Sequence, residues 1–169
     1  TRMMDFFDEQ RMSRLYEKFI LEYYRKEHPR LNASASFIDW ALDDGVSDGL
    51  PAMRSDITLS ARGRALIIDA KYYASTMQSN FDKRTVHSGN LYQIFAYVKN
   101  KQIAFERAWE SVEVSGMLLY AATDEDIQPD ATYRMSGNRI SATTLDLDRP
   151  FEEIRVQLDG IVEEYFPGE

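Results

Sequence analysis

The feature that most constrains this chain is the run Ala65–Tyr73, in which Leu66-Ile67-Ile68 leads into Asp69-Ala70-Lys71. Consecutive aliphatic residues without polar alternation suit a strand buried on both faces, so this segment belongs inside a sheet covered by helices. Side chains alternate along a strand, and Asp69 and Lys71 therefore project from the same face. A carboxylate and an ammonium at the end of such a strand are costly unless paired or bound to something.

The preceding segment supplies a second acid. Met53–Ser60 reads as a strand joined to Ala65–Tyr73 through the turn signal Arg62-Gly63. A turn centred between those two residues sets Asp56 opposite Asp69, and directly opposed strand residues have Cβ atoms roughly 4.5–5.5 Å apart. Two carboxylates at that separation repel unless a counter-charge intervenes. A divalent cation preferring hard oxygen ligands answers the need, and Mg²⁺ commonly takes one or two carboxylates. A Lys71–Asp salt bridge at a strand end accounts for the same residues. The acid-x-Lys triplet itself arises about once by chance in a chain with 28 acids. The weight rests on the apolar strand and on Asp56.

The other elements fall around this hairpin. Met12, Leu15, Tyr16, Phe19 and Tyr23 recur at helical spacing, predicting a helix from about Asp5 to His28 that Pro29 stops. Ala33–Leu42 carries a short strand pattern, and Ser75–Ser88 is polar and reads as a loop. A helix spans about Leu91–Trp109, with a break expected near Asn100. Strands are expected at Met117–Ala122, Thr132–Met135 and Arg139–Leu147, and a last helix from Arg149 to Tyr165 with Pro150 in its first turn. The order predicts an α/β or α+β domain, a mixed central sheet flanked by helices with Leu66-Ile67-Ile68 at its centre. Its 169 residues suit one domain.

Composition excludes several chemistries. The absence of cysteine removes a disulfide framework, a thiolate zinc site, a Cys nucleophile and a cysteine-held iron–sulfur cluster. No apolar run approaches the ~18 residues of a membrane span, and no basic-then-apolar leader opens the chain, so a cytoplasmic protein is expected. No phosphate-cradling glycine loop or nucleophile elbow is present. A net charge of −8 argues against a free-standing, tight nucleic-acid binder. The chain opens on Thr1 rather than Met, and it is expected to be a piece of a longer protein.

Three further residues stand at suggestive places. Gln93 and Tyr97 are four apart, on the helix face opposite the stripe Leu91, Ile94, Phe95 and Val98, where they face either solvent or a substrate. Glu17 lies on the flank of the first helix's apolar stripe, as a surface glutamate or a metal ligand at the sheet edge. Arg54, Arg62, Arg64, Lys83 and Arg84 either supply positive charge near the site or are simply solvated. Neither His28 nor His87 has an acid or second histidine at metal-ligand spacing; His87 reads as a loop histidine or as a residue touching substrate, and Trp40 and Trp109 read as packing residues.

Glu17, Asp56, Asp69-Ala70-Lys71 and Gln93-x3-Tyr97, in that order, resemble the PD-(D/E)XK nuclease superfamily, in its RecB-like branch. Leu15-Tyr16-Glu17-Lys18-Phe19, Pro51-Ala52-Met53-Arg54-Ser55-Asp56-Ile57 and Asn90-Leu91-Tyr92-Gln93-Ile94-Phe95-Ala96-Tyr97 are similar to the C-terminal nuclease domain of McrC, the endonuclease subunit of McrBC-like, modification-dependent restriction systems. Ser55 departs from the proline that the superfamily often carries before the aspartate. The resemblance implies a restriction-endonuclease-like core and Mg²⁺-dependent (or Mn²⁺-dependent) hydrolysis of double-stranded DNA. It further implies a McrB-like AAA+ GTPase ring as partner. Asp56, Asp69 and the Ala70 carbonyl would hold the metal, and Glu17 would complete or orient that set. Lys71 would position the attacking water or stabilise the phosphate, and Gln93 and Tyr97 would orient the nucleophile or the DNA backbone. The alternatives are an independent RecB-like nuclease and a non-catalytic interaction module of the same fold.

Overall fold

A computed structural model describes residues 2–73, 86–123 and 128–169. Helix α1 (Arg2–Glu27) ends in a 3₁₀ turn, Pro29–Leu31, and is followed by strands β1 (Phe37–Ile38), β2 (Met53–Arg54), β3 (Ile57–Ala61) and β4 (Arg64–Lys71). Helix α2 (Ser88–Ala108) precedes β5 (Glu113–Ala121), β6 (Ala131–Met135) and β7 (Asn138–Leu145), and α3 (Phe151–Tyr165) closes the order. The main sheet runs β3-β4-β5-β7-β6, with β4, β5 and β7 parallel and the two edge strands antiparallel; β1 and β2 form a separate two-stranded ribbon. A mixed sheet flanked by helices is the expected class. β4 is interior and buried on both faces, but the middle strand is β5, because β7 joins it in parallel on the far side.

The two faces of β4 are divided by residue parity. Leu66, Ile68 and Ala70 enter one core with Tyr16, Ile20, Tyr23 and Tyr24 of α1 and with Leu158 and Val162 of α3. Ala65 and Ile67 enter the other with Ile94, Tyr97 and Val98 of α2. Burying each such aliphatic side chain stabilises the fold by ~1.5–3 kcal/mol. Asp69 and Lys71 continue the odd-numbered row, on the α2 side of the sheet.

Close approach shapes two of the glycines. A Cβ on Gly63 would stand 2.1 Å from the Ser111 carbonyl oxygen, where the β3–β4 turn meets the chain entering β5. A Cβ on Gly116 would stand 2.7 Å from Ile94 Cγ1 and 2.8 Å from Val98 Cγ2, so this glycine lets α2 settle onto the sheet.

Several expectations are corrected. Met12 and Leu15 are exposed, because the buried stripe of α1 is Tyr16, Ile20, Tyr23 and Tyr24: Leu15 falls on its flank, and Met12, one turn before Tyr16 on the same row, lines an open cleft with Tyr72 and Tyr73. The strand expected over Ala33–Leu42 shrinks to β1 and a single bridge between Ser34 and Thr58. Met53–Ser60 splits at Ser55-Asp56, where buried Ser55 donates its N–H to Ser36 O at 2.9 Å and shares a 2.7 Å hydroxyl bond with Thr58. Such local bonding competes with the ladder and bends the chain there. Helix α2 is unbroken at Asn100, whose amide donates to Ala96 O at 2.8 Å while accepting from Ala41 N at 2.7 Å. Helix α3 begins at Phe151 rather than Arg149, with Pro150 at its N-cap. Trp40 packs partly buried, its Nε1 donating to Pro51 O at 2.7 Å, whereas Trp109 is 46% exposed. Most of the loop expected at Ser75–Ser88, with Lys83 and Arg84, lies outside the described residues.

Candidate active site

The β3–β4 hairpin closes on Arg62-Gly63, with Arg62 in the left-handed region at φ 53°. It pairs Ala61 with Arg64 and Ile57 with Ile68. Extending that register by one residue sets Asp56 opposite Asp69, as the turn position requires. Asp56 lies just outside β3, where the Ser55 bend frees its side chain from the ladder, and its Oδ2 accepts the Ala70 N–H at 2.9 Å. Asp69 is 6% exposed; its Oδ1 lies 3.1 Å from Lys71 Nζ, while its buried Oδ2 has no hydrogen-bond partner among the described residues.

The electrostatics show how tightly these groups share space. Burial, then the adjoining Asp69 carboxylate, push the Asp56 carboxyl up to about 8, against a smaller lowering by the Ala70 N–H. Burial raises Glu17 as well, with the Asp69 charge adding to it and Lys71 and Arg14 opposing. Burial pulls Lys71 down, but Asp69 and Tyr73 outweigh it and the ammonium is held above its ordinary value. Glu17 therefore stands within electrostatic reach of the pair, from α1 across the end of the sheet.

Asp56, Asp69, Ala70 and Lys71 thus gather at the carboxyl end of β4, with Glu17 on α1 near enough for its charge to act on Asp56. Among the described residues no group of three His, Cys, Asp or Glu side chains is arranged to hold a metal ion. What the site offers is a pair of opposed carboxylates, one with an orphaned buried oxygen. That donor set suits a hard cation that keeps several of its own waters, as Mg²⁺ does. Gln93 Nε2 donates to Tyr97 Oη at 2.9 Å, so this pair is joined. Tyr97, however, is 9% exposed and packs in the α2-side core instead of facing away from it, while Gln93 is exposed. Arg62 and Arg64 lie at the turn end of the hairpin, against Glu169 and the Pro167 carbonyl, roughly 20 Å from Asp69 along the strand. They do not supply charge to the site. Arg54 is exposed, with its guanidinium 5.4 Å from the centroid of the Phe37 ring.

Residues 10–120 match the family described as McrBC 5-methylcytosine restriction system component. The chain belongs to this family. Over 161 residues it is 31% identical to the type IV methyl-directed restriction enzyme EcoKMcrBC of Escherichia coli (strain K12), a match covering 94% of this chain and 44% of that protein. The chain therefore spans less than half the length of this McrBC relative, and the likeness bears out the resemblance to the McrC-type subunit. The matched stretch holds Glu17, Asp56, Asp69, Lys71, Gln93 and Tyr97 together.

Further residues surround this set. His28 Nε2 lies 2.7 Å from Asp159 Oδ1, which also accepts the Tyr23 hydroxyl at 2.6 Å, tying the end of α1 to α3. His87 stands just before α2 with its Nε2 buried and without a partner among the described residues. Asn90, Tyr73 and Tyr120 form a hydrogen-bonded group beside Lys71. No local signal in the sequence links residues so far apart.

Proposed function

We propose that this McrBC-family chain is a metal-dependent DNA endonuclease module that hydrolyses phosphodiester bonds within a modification-dependent restriction complex in the cytoplasm. The observation that carries the reading is the opposed pair Asp56 and Asp69, with Lys71 bonded beside them and an oxygen of Asp69 left unpartnered. Asp56, Asp69 and the Ala70 carbonyl would hold Mg²⁺ (Mn²⁺ being the alternative), and Glu17 would orient that set from α1. When bound, the cation supplies an acidified water and neutralises charge on the phosphate. The Ala70 N–H fixes one Asp56 oxygen, which leaves the other to turn toward Asp69. Lys71, a compact cation on a flexible stem, stabilises negative charge developing on the phosphate. Gln93 and Tyr97 line the α2 side, where Gln93 is exposed and available to the DNA backbone.

A domain of net charge −8 does not by itself gather duplex DNA, so delivery falls to a McrB-like AAA+ GTPase ring. Among the described residues no helix is long and apolar enough to cross a membrane. The test is plasmid cleavage with Mg²⁺, with Mn²⁺ and with EDTA, by the wild type, Asp69→Asn and Lys71→Ala, each with and without the cognate GTPase. Metal-dependent cutting by the wild type and losses of ~10²–10³ or more in both variants support the proposal. Wild-type rates in either variant reject the roles given to these residues.

A further inference from the structure

Past Lys71 the odd-numbered row of β4 continues to Tyr73, which enters a polar and aromatic group that neither the carboxylates nor the Gln93–Tyr97 pair uses. Tyr73 Oη donates to Asn90 Oδ1 at 3.4 Å, and Asn90 Nδ2 donates to Tyr120 Oη at 3.3 Å. The Tyr73 ring centroid lies 6.4 Å from that of Tyr120 and 5.5 Å from that of His87. Tyr120 is wholly buried and Asn90 is 8% exposed.

Three elements meet in this group. Tyr73 leaves the end of β4, Asn90 sits in the first turn of α2, and Tyr120 lies on β5. Tyr120 is the register partner of Lys71, so the two side chains share the α2 side of the sheet. Both tyrosines stand near enough to Lys71 for their charges to interact, and Tyr120 also to Asp69. Asn90, Gln93 and Tyr97 fall at helical spacing on one side of α2, which makes Asn90 the member of that row nearest the end of β4. Burying an amide in a helix's first turn is unfavourable unless both its ends are engaged, and here both are.

A lysine side chain has a long stem that wanders unless its surroundings fix it. We propose that Asn90, through Tyr73 and Tyr120, is a positioning residue for Lys71: the bridge ties the chain just beyond Lys71 to α2 and β5 and so holds the ammonium against Asp69. This rests on the nuclease reading, which gives Lys71 a task needing fixed geometry.

Two measurements test it. The first needs no catalysis: in spectra of protein labelled at lysine Cε, Lys71 is assigned by its disappearance in Lys71→Ala. A held side chain shows two distinct Hε shifts, which collapse to one in Asn90→Ala and in Tyr120→Phe. Distinct shifts that survive both substitutions overturn the proposal. The second is single-turnover cleavage by the full subunit with its GTPase. Asn90→Ala and Tyr120→Phe are expected to slow the chemical step about 10- to 100-fold with DNA affinity unchanged, and to add nothing in a Lys71→Ala background. A loss confined to thermal stability, or one that multiplies the Lys71→Ala loss, marks a merely structural role and overturns the positioning claim. If wild type cuts and Lys71→Ala does not while Asn90→Ala cuts normally, this inference fails and the nuclease reading stands. If the wild type does not cut at all, the nuclease reading fails first and takes this one with it.

Discussion

Replacing Asp56 by asparagine should make the metal-free protein more stable, and more so as pH rises. Asp56 is pushed up to about 8 by burial and by Asp69, whereas in an unfolded chain an aspartate titrates near 3.9. Between those values the folded state binds the extra proton, so stability falls as pH climbs from about 4 and the full cost is reached above pH 8. At ~1.4 kcal/mol per unit, a displacement of about four units sets a ceiling of ~6 kcal/mol. The asparagine of Asp56→Asn retains an oxygen for the Ala70 N–H, the one hydrogen bond the substitution must not lose. It removes the charge facing Asp69 and adds an amide able to donate to the unpartnered Asp69 Oδ2. The expected gain in EDTA at pH 8 is ~2–4 kcal/mol, or roughly 5–15 °C in Tm, shrinking toward zero by pH 4–5. Millimolar Mg²⁺ should reverse the order, stabilising the wild type by mass action while leaving the variant nearly unmoved. Thermal unfolding of both proteins across pH 4–9, in EDTA and in Mg²⁺, reads all of this. An Asp56→Asn variant less stable than wild type at pH 8 in EDTA, or a gap that ignores pH, would refute the reasoning.

Other expectations follow from named contacts. Ser55→Pro, although it matches the residue common in the superfamily, removes an N–H bonded to Ser36 O and a hydroxyl bonded to Thr58, and should lower unfolding free energy by ~1–3 kcal/mol in chemical denaturation. Gly116→Ala puts a methyl against Ile94 and Val98 at sub-contact distance, so a loss of about 1–3 kcal/mol is expected, and an unchanged melting temperature would show that α2 yields freely. Asp159→Asn weakens the bonds from Tyr23 and His28, and hydrogen exchange should quicken at the end of α1 while the β4 and β5 amides stay protected. The isolated chain should bind labelled duplex only weakly at ~150 mM salt and cut it poorly without its GTPase. Sub-micromolar binding with multiple turnover would favour an independent nuclease.

The local part of this protein was legible in its sequence. A two-residue turn and strict alternation fix register without help from the rest of the chain, which is why Arg62-Gly63 alone aligned Asp56 with Asp69 and set Lys71 on the same face. Helical spacing likewise joined Gln93 to Tyr97. What periodicity lacks is any record of which face the tertiary structure covers. Met12 and Leu15 look as apolar as Ile20 and Tyr24, and only the docking of α1 on β3 and β4 decided how far along and around the helix the covered stripe runs. Tyr97 is buried in the core that α2 forms with the sheet, where Ile94 and Val98 pack over Gly116, a residue that carries no helical signal. The reach of Glu17 to Asp69, the Asp159 bonds to α1 and the Asn90 bridge to Tyr120 all join residues distant in sequence. The last of these depends on β5 lying beside β4 in parallel, a pairing made through a helical crossover that no turn between neighbouring residues specifies.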